Sequence, residues 1–253
     1  MAVARQSESK TRTAWIIAKS LAVIGVGLSL FQLYTAGLVA MTAMRHRSVF
    51  LTSILVMAFL TKPLYKGARK DRFNGALVVD LILAATAIAV GAYIFIDLQG
   101  IFERQGDWSR WDFAVGITLV LLVLEATRRV IGYNLMIIAG TALLFAYFGP
   151  YMPELVVHKG YSIERIATTL SLTTEGIFGL PLGVASTFVF IFILFGAFLD
   201  KTGAGKFFID LSYSITGRFS GGPAKTAVIA SGFMGSVAGS ADATDSYTHL
   251  TLP

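Results

Sequence analysis

"GALVVDLILAATAIAVGAYIFI", residues Gly75–Ile96, carries one charged side chain, Asp80. A helix needs ~20 consecutive apolar residues to cross the ~30 Å hydrocarbon core of a bilayer, and this run supplies them. Working outward, five more apolar runs occupy about residues 15–40, 48–65, 113–126, 135–151 and 184–199. Each approaches a membrane-spanning length or reaches it with its flanks. The composition agrees: 55% of the 253 residues are hydrophobic, 14% are charged, and mean hydropathy is +0.70. A soluble domain carries about a quarter charged residues. The expected fold is therefore all-α and polytopic, with about six transmembrane helices.

The net charge of +6 does not point to nucleic acid, because the basic residues sit in short clusters between apolar runs, where they set topology. Residues 62–72 hold Lys62, Lys66, Arg69, Lys70 and Arg72 against one acid, Asp71. The connection at 97–112 holds four acids and two arginines, and the next, short one holds Arg128 and Arg129. This alternation places the N-terminus, the 62–72 loop and the Arg128 turn in the cytoplasm. Arg45 and Arg47 then fall outside, against the rule; Lys19, near the start of the first run, can snorkel to the interface. There is no cysteine, hence no disulfide framework and no thiolate metal site. The first apolar run is too long for a cleavable signal, and no small-residue cleavage site ends it.

Two pieces between spans are amphipathic. In "SIERIATTL" (162–170), Ile163, Ile166 and Leu170 share a helical face behind Ser162 as N-cap. In "GKFFIDLSYSITGRF" (205–219), Phe207, Phe208, Leu211 and Ile215 do the same. Each either lies flat at the membrane interface or packs against protein.

Catalytic chemistry finds no support, so an enzyme is not expected. His46, His158 and His249 lack a second ligand at helical spacing, which speaks against a metal site, and no serine has a credible His and Asp partner. "TGAGKF" (202–207) lacks both the first glycine and the final Ser or Thr of a phosphate-binding loop; Gly203 and Gly205 more simply end the sixth span. Asp80 is a carboxylate inside a span, about one turn from its cytoplasmic end. It either pairs with a basic residue such as Arg72 or holds an ion. Glu125 precedes Arg129 by four residues, the favourable order for a helical ion pair.

"GRFSGGPAKTAVIASGFMGSVAGSA" (217–241) offers the break Gly221-Gly222, then Pro223 as a natural first helical residue, then a helix of small residues with two Gly-Ser pairs, Gly235-Ser236 and Gly239-Ser240. Transporters build midplane sites from interrupted helices of this kind, whose freed carbonyls face cations. Close packing between helices uses the same small residues.

"TEGIFGLPLGVA", "FILFGAFL" and "GRFSGGPAK" make residues 157–241 closely resemble the membrane permease of tripartite ATP-independent periplasmic (TRAP) transporters. The match is to the type in which small and large subunits are fused, usually paired with a TAXI-class binding protein. "LEATRRVIGYNLMIIAGTALLFAYFGPYMP" (124–153) resembles the fusion junction. The resemblance implies a small-subunit-like four-helix scaffold at 1–132, a connecting transmembrane helix at 133–156, and the N-terminal part of the large transport subunit at 157–245, including the start of a re-entrant hairpin. It further implies sodium-coupled uptake of an organic anion, often a carboxylate, delivered by a periplasmic TAXI-type binding protein across a bacterial or archaeal cytoplasmic membrane. No cofactor is implied beyond Na+ as coupling ion. The hairpin tip, which would help form the ion and substrate sites, falls by position on Gly235, Ser236, Gly239 and Ser240.

The pattern departs from the family at the end: Asp242 and Asp245 stand where small apolar residues are usual, and 246–253 match nothing there. Back-translated as TCT TAT ACA CAT CTG ACG CTG CCG, "SYTHLTLP" reads as a sequencing-library adaptor. The expectation is a reading frame that runs off a truncated gene, so that residues 1–253 insert but do not transport. The competing function is a structural membrane scaffold without transport activity.

Overall fold

The computed structural model describes residues 2–64, 75–153, 156–217 and 221–238, and among them every regular element is helical. The basic loop at 65–74 lies outside the described residues, as do Gly239, Ser240, Asp242, Asp245 and the tail at 246–253. The chain divides into two units, Met1–Gly183 and Val184–Pro253.

The first unit contains α1 (Ala2–Gly37), α2 (Ala43–Thr61), α3 (Gly75–Ile96), the short α4 (Leu98–Glu103), α5 (Arg110–Val130), α6 (Tyr133–Tyr147) and α7 (Ile163–Leu172). A helical run then begins at α8 (Leu180–Val184), passes through a π-helical stretch at Ala185–Val189 and continues as α9 (Phe190–Thr202). In the second unit, α10 (Ala204–Thr216) and α11 (Gly222–Ala238) form a hairpin that packs with α9.

Among the described residues, four helices are long and apolar enough to cross a membrane: Trp15–Gly37, Ala43–Thr61, Gly75–Ile96 and Leu180–Leu199. The other two expected spans are α5 and α6. Charges at both ends of α5, Arg110 and Asp112 against Glu125, Arg128 and Arg129, confine its apolar part to the centre. The apolar helix α6 has 15 residues.

Burial on α3 explains why it sits in a bilayer. Leu77, Asp80, Ala84, Ala87, Val90, Gly91 and Ile94 form its buried stripe, while Leu81, Ile82 and Ile88 point outward. Mostly small side chains face protein and large apolar ones face out, as lipid rather than water outside requires. A Cβ at Gly91 would collide with the Thr52 hydroxyl, so glycine here sets how closely α2 and α3 approach. Around this contact gather Leu55 and Phe59 of α2, Leu119 and Leu122 of α5, and Leu172 and Phe178.

α2 begins five residues before the expected apolar run, because its polar first turns find partners. The His46 ring hydrogen-bonds the Gln32 side-chain oxygen at 2.7 Å, both residues being buried. The Arg45 guanidinium lies 5.8 Å from the Phe95 ring centroid. Arg47 Nη1 donates to the carbonyls of Phe178 and Gly179 at 2.5 and 3.2 Å.

Local signals set the remaining boundaries. Ser109 caps α5 in a reciprocal box: its Oγ accepts from the Asp112 N–H at 3.1 Å, and Asp112 accepts from the Ser109 N–H at 3.0 Å. Arg128 and Arg129 complement the dipole of the last turn. Ser162 caps α7 as expected, accepting from the Arg165 N–H at 3.2 Å. The buried face of α7, however, is Ala167, Thr168, Ser171 and Leu172, while Ile163 is exposed. Gly203 (φ +83) separates α9 from α10, whereas Gly205 lies inside α10.

Candidate functional site

The α10–α11 hairpin contains the residues that the sequence singles out. Gly221 adopts φ +74, a left-handed conformation that favours glycine, and its carbonyl accepts the Lys225 N–H at 3.1 Å. Gly222 opens α11, and a Cβ there would press on the Gly217 Cα and the Thr216 carbonyl at 3.2 Å. Pro223 is the second helical residue, where a missing N–H costs nothing. The Gly-Gly-Pro break is therefore a turn that lets two helices fold back closely.

The faces that meet are small and polar. On α10 they are Gly205, Ser212 and Thr216; on α11 they are Thr226, Ala227 and Ala230. The buried hydroxyls of Thr216 and Thr226 lie 2.6 Å apart. Thr216 Oγ1 is also within 2.7 Å of the Ser212 carbonyl, and Thr226 Oγ1 within 2.9 Å of the Gly222 carbonyl. Two hydroxyl protons serve three contacts, so one is unfilled at any instant. Phe208 and Phe233 stack at 5.8 Å between centroids. Of the apolar face expected on α10, Phe207, Leu211 and Ile215 are exposed, while Phe208 is the member that meets α11.

Of the four tip positions, Gly235 and Ser236 lie in the last turns of α11, which stays helical to Ala238. The interruption expected at that pair is absent, and Gly239 and Ser240 fall outside the described residues. Gly232 and Gly235 are exposed, on the side of α11 turned away from α10, and a Cβ at Gly232 would meet nothing within 4 Å.

Among the described residues, the first unit holds two ionic clusters. Asp80 of α3 pairs with Arg129 of α5, both side chains being almost wholly buried, at 1% and 0% exposure. Arg129 also donates from Nε to Glu125 at 2.7 Å, the i, i+4 pair expected from sequence. Arg128 forks onto the same Glu125 at 2.8 and 2.7 Å and reaches the Leu64 carbonyl at 3.0 Å. Asp80 thus belongs to a structural tie between α3 and α5.

The second cluster lies in the 97–112 connection. Arg104 bridges Asp97 at 2.6 Å and Asp112 at 3.0 Å, and the Tyr93 hydroxyl donates to Asp112 at 2.8 Å. Burial works against ionising Asp112, but hydrogen bonds from Arg104, Ser109 and Tyr93 outweigh it and hold its carboxyl well below the usual carboxylate range. Hydrogen bonds to Asp112 and Asp97 in turn raise the Arg104 guanidinium further above its ordinary value.

Sequence reasoning missed the Arg104 bridge, the Gln32–His46 pair, the Arg47 contacts and the Thr216–Thr226 contact. The recurrence of small polar residues at helical spacing was the available signal for the last.

Comparison with known proteins yields one match. Residues 118–249 fit the family model described as tripartite ATP-independent periplasmic transporter, DctM component. The match begins inside α5, runs through the α10–α11 hairpin and covers just over half of the chain. Searches of curated proteins and of solved structures gave no match. With its membrane-length helices and a hairpin of small residues inside the matched region, this chain belongs to the DctM family of TRAP transporter membrane permease components.

Proposed function

We propose that the permease containing this sequence is a sodium-coupled secondary transporter of the fused, TAXI-associated type. It imports an organic anion, a carboxylate, handed over by a periplasmic binding protein. The single observation that carries this reading is the family match spanning the α10–α11 hairpin. In the proposed orientation the N-terminus and the 62–72 loop lie in the cytoplasm, on the inner side of the cytoplasmic membrane. Coupling needs a site where a cation and an anion are held together between moving elements. We assign its near side to the end of α11 and the residues just beyond: Gly235, Ser236, Gly239 and Ser240. Glycine lets the backbone release carbonyls to Na+, and serine adds a neutral oxygen, the hard ligands such an ion takes. Gly221, Gly222 and Pro223 place this end by fixing the turn.

The test is uptake by the permease containing this sequence, reconstituted with its binding protein, in the variants Ser236→Ala and Ser240→Ala. Weakened dependence on sodium, at unchanged protein level in the membrane, is expected. Unchanged sodium dependence in both variants leaves these serines with helix packing alone.

A further inference from the structure

An apolar groove of about 580 Å³ runs between α5, α6 and α7 in the first unit. Ile117, Leu121 and Leu124 form one wall, Gly140 and Leu144 the second, and Ile166 the third. Its volume falls within the ~300–1,000 Å³ of small-molecule sites. No residue of α6 (Tyr133–Tyr147) is fully buried, and much of this apolar helix is exposed beside the groove. Gly140 does not serve close helix packing: a Cβ there would meet nothing within 4 Å. The glycine leaves room.

At one end the groove meets a second pocket, and Tyr147 and Phe148 line both. This mouth is largely aromatic but carries a cation, exposed Lys159, beside the Gly160 backbone and Ser162; no acid lines it among the described residues. Aromatic rings surround it: Phe145 lies 4.7 Å from His158, Phe148 lies 6.4 Å from Tyr151, and His158 lies 6.2 Å from Tyr161. Such a belt marks the depth at which membrane helices meet lipid headgroups.

We propose that this groove is a binding site for an anionic phospholipid, with one acyl chain between α5, α6 and α7 and the phosphate at Lys159 and the Ser162 hydroxyl. Charge and depth select the occupant. An apolar channel opens at headgroup level beside a cation with no described acid to neutralise it. From Gly140 to Phe148 the channel runs about 12 Å along α6, at ~1.5 Å per residue, which accommodates part of an acyl chain. Ser162 Oγ accepts from the Arg165 N–H, which leaves its proton free to donate to a phosphate oxygen.

The full chain, purified in mild detergent, is titrated with phosphatidylglycerol or phosphatidylcholine and the bound lipid counted by native mass spectrometry. Wild type is expected to hold one phosphatidylglycerol with about a fivefold preference over phosphatidylcholine, the contribution of one basic residue near an anionic headgroup. Lys159→Gln should abolish the preference, while Lys201→Gln, an exposed cation in the second unit, should leave it intact. Gly140→Leu, whose Cβ would meet nothing within 4 Å and whose branch would reach into the groove, should weaken retention of both lipids. Equal retention of the two lipids by wild type, or unchanged retention in Gly140→Leu, would overturn the proposal. So would displacement of the lipid by millimolar inorganic phosphate, since that makes the mouth a free-anion site.

Discussion

Replacing Arg129 with Met removes the cation that joins α3 to α5 while keeping a side chain of similar length. Asp80, at 1% exposure, then loses its guanidinium, and Glu125 keeps only Arg128. Removing one partner of a buried ion pair costs about 3–5 kcal/mol, because the remaining charge stays desolvated. The reverse change, Asp80→Asn, is milder: Arg129 retains Glu125 at 2.7 Å, so the expected cost is about 1–3 kcal/mol. In the double variant neither buried charge remains, and replacing both partners of such a pair is often close to neutral. Arg129→Met with Asp80→Asn should therefore be more stable than Arg129→Met alone, which requires a coupling larger than the ~1–3 kcal/mol that Asp80→Asn costs by itself. The assay is reversible unfolding in mixed detergent micelles, followed by helical circular dichroism, for all four members of the cycle. Additive costs, or an Arg129→Met variant as stable as wild type, would refute a coupled buried tie between α3 and α5.

Two further expectations follow from the charged segments. Single cysteines at Lys66 and Gln105, in this cysteine-free chain, report sidedness: an impermeant thiol reagent added outside should label Gln105→Cys and spare Lys66→Cys, and the opposite pattern would invert the proposed topology. Because the Asp112 carboxyl is held below its unfolded value of about 4, its stabilising effect is present above that pH and is lost as pH falls toward the folded-state value. Thermal stability should therefore fall progressively as pH drops below about 4 in wild type and fall less in Asp112→Asn; identical acid sensitivity would remove Asp112 from that role.

What the sequence made legible was local. The bounds of α3, the Ser162 cap and the Glu125–Arg129 pair all depend on residues within one or two turns of each other, and all are present in the structure. What escaped depends on distant partners. Arg47 binds carbonyls 131 and 132 residues away, and no local pattern announces that. The same contacts explain why α2 starts early. The sequence left open whether the apolar faces of α7 and α10 lie at the membrane interface or pack against protein. In the structure Ser171 of α7 and Ser212 and Thr216 of α10 are buried, while Ile163, Phe207 and Leu211 face out. Where lipid replaces water, exposing Leu or Phe carries no penalty, and close approach of backbones selects small residues for the protein side. Of the hairpin end, Gly235 and Ser236 prove helical, and their part in any ion site depends on residues beyond α11.

Sodium coupling is the central functional claim, and one flux measurement addresses it. Proteoliposomes carrying the permease that contains this sequence, with its binding protein and a radiolabelled carboxylate ligand outside, are compared under an inward sodium gradient and under an equal potassium gradient. The account predicts accumulation of ligand above equilibrium with sodium and none with potassium. Equal accumulation under both gradients would contradict it.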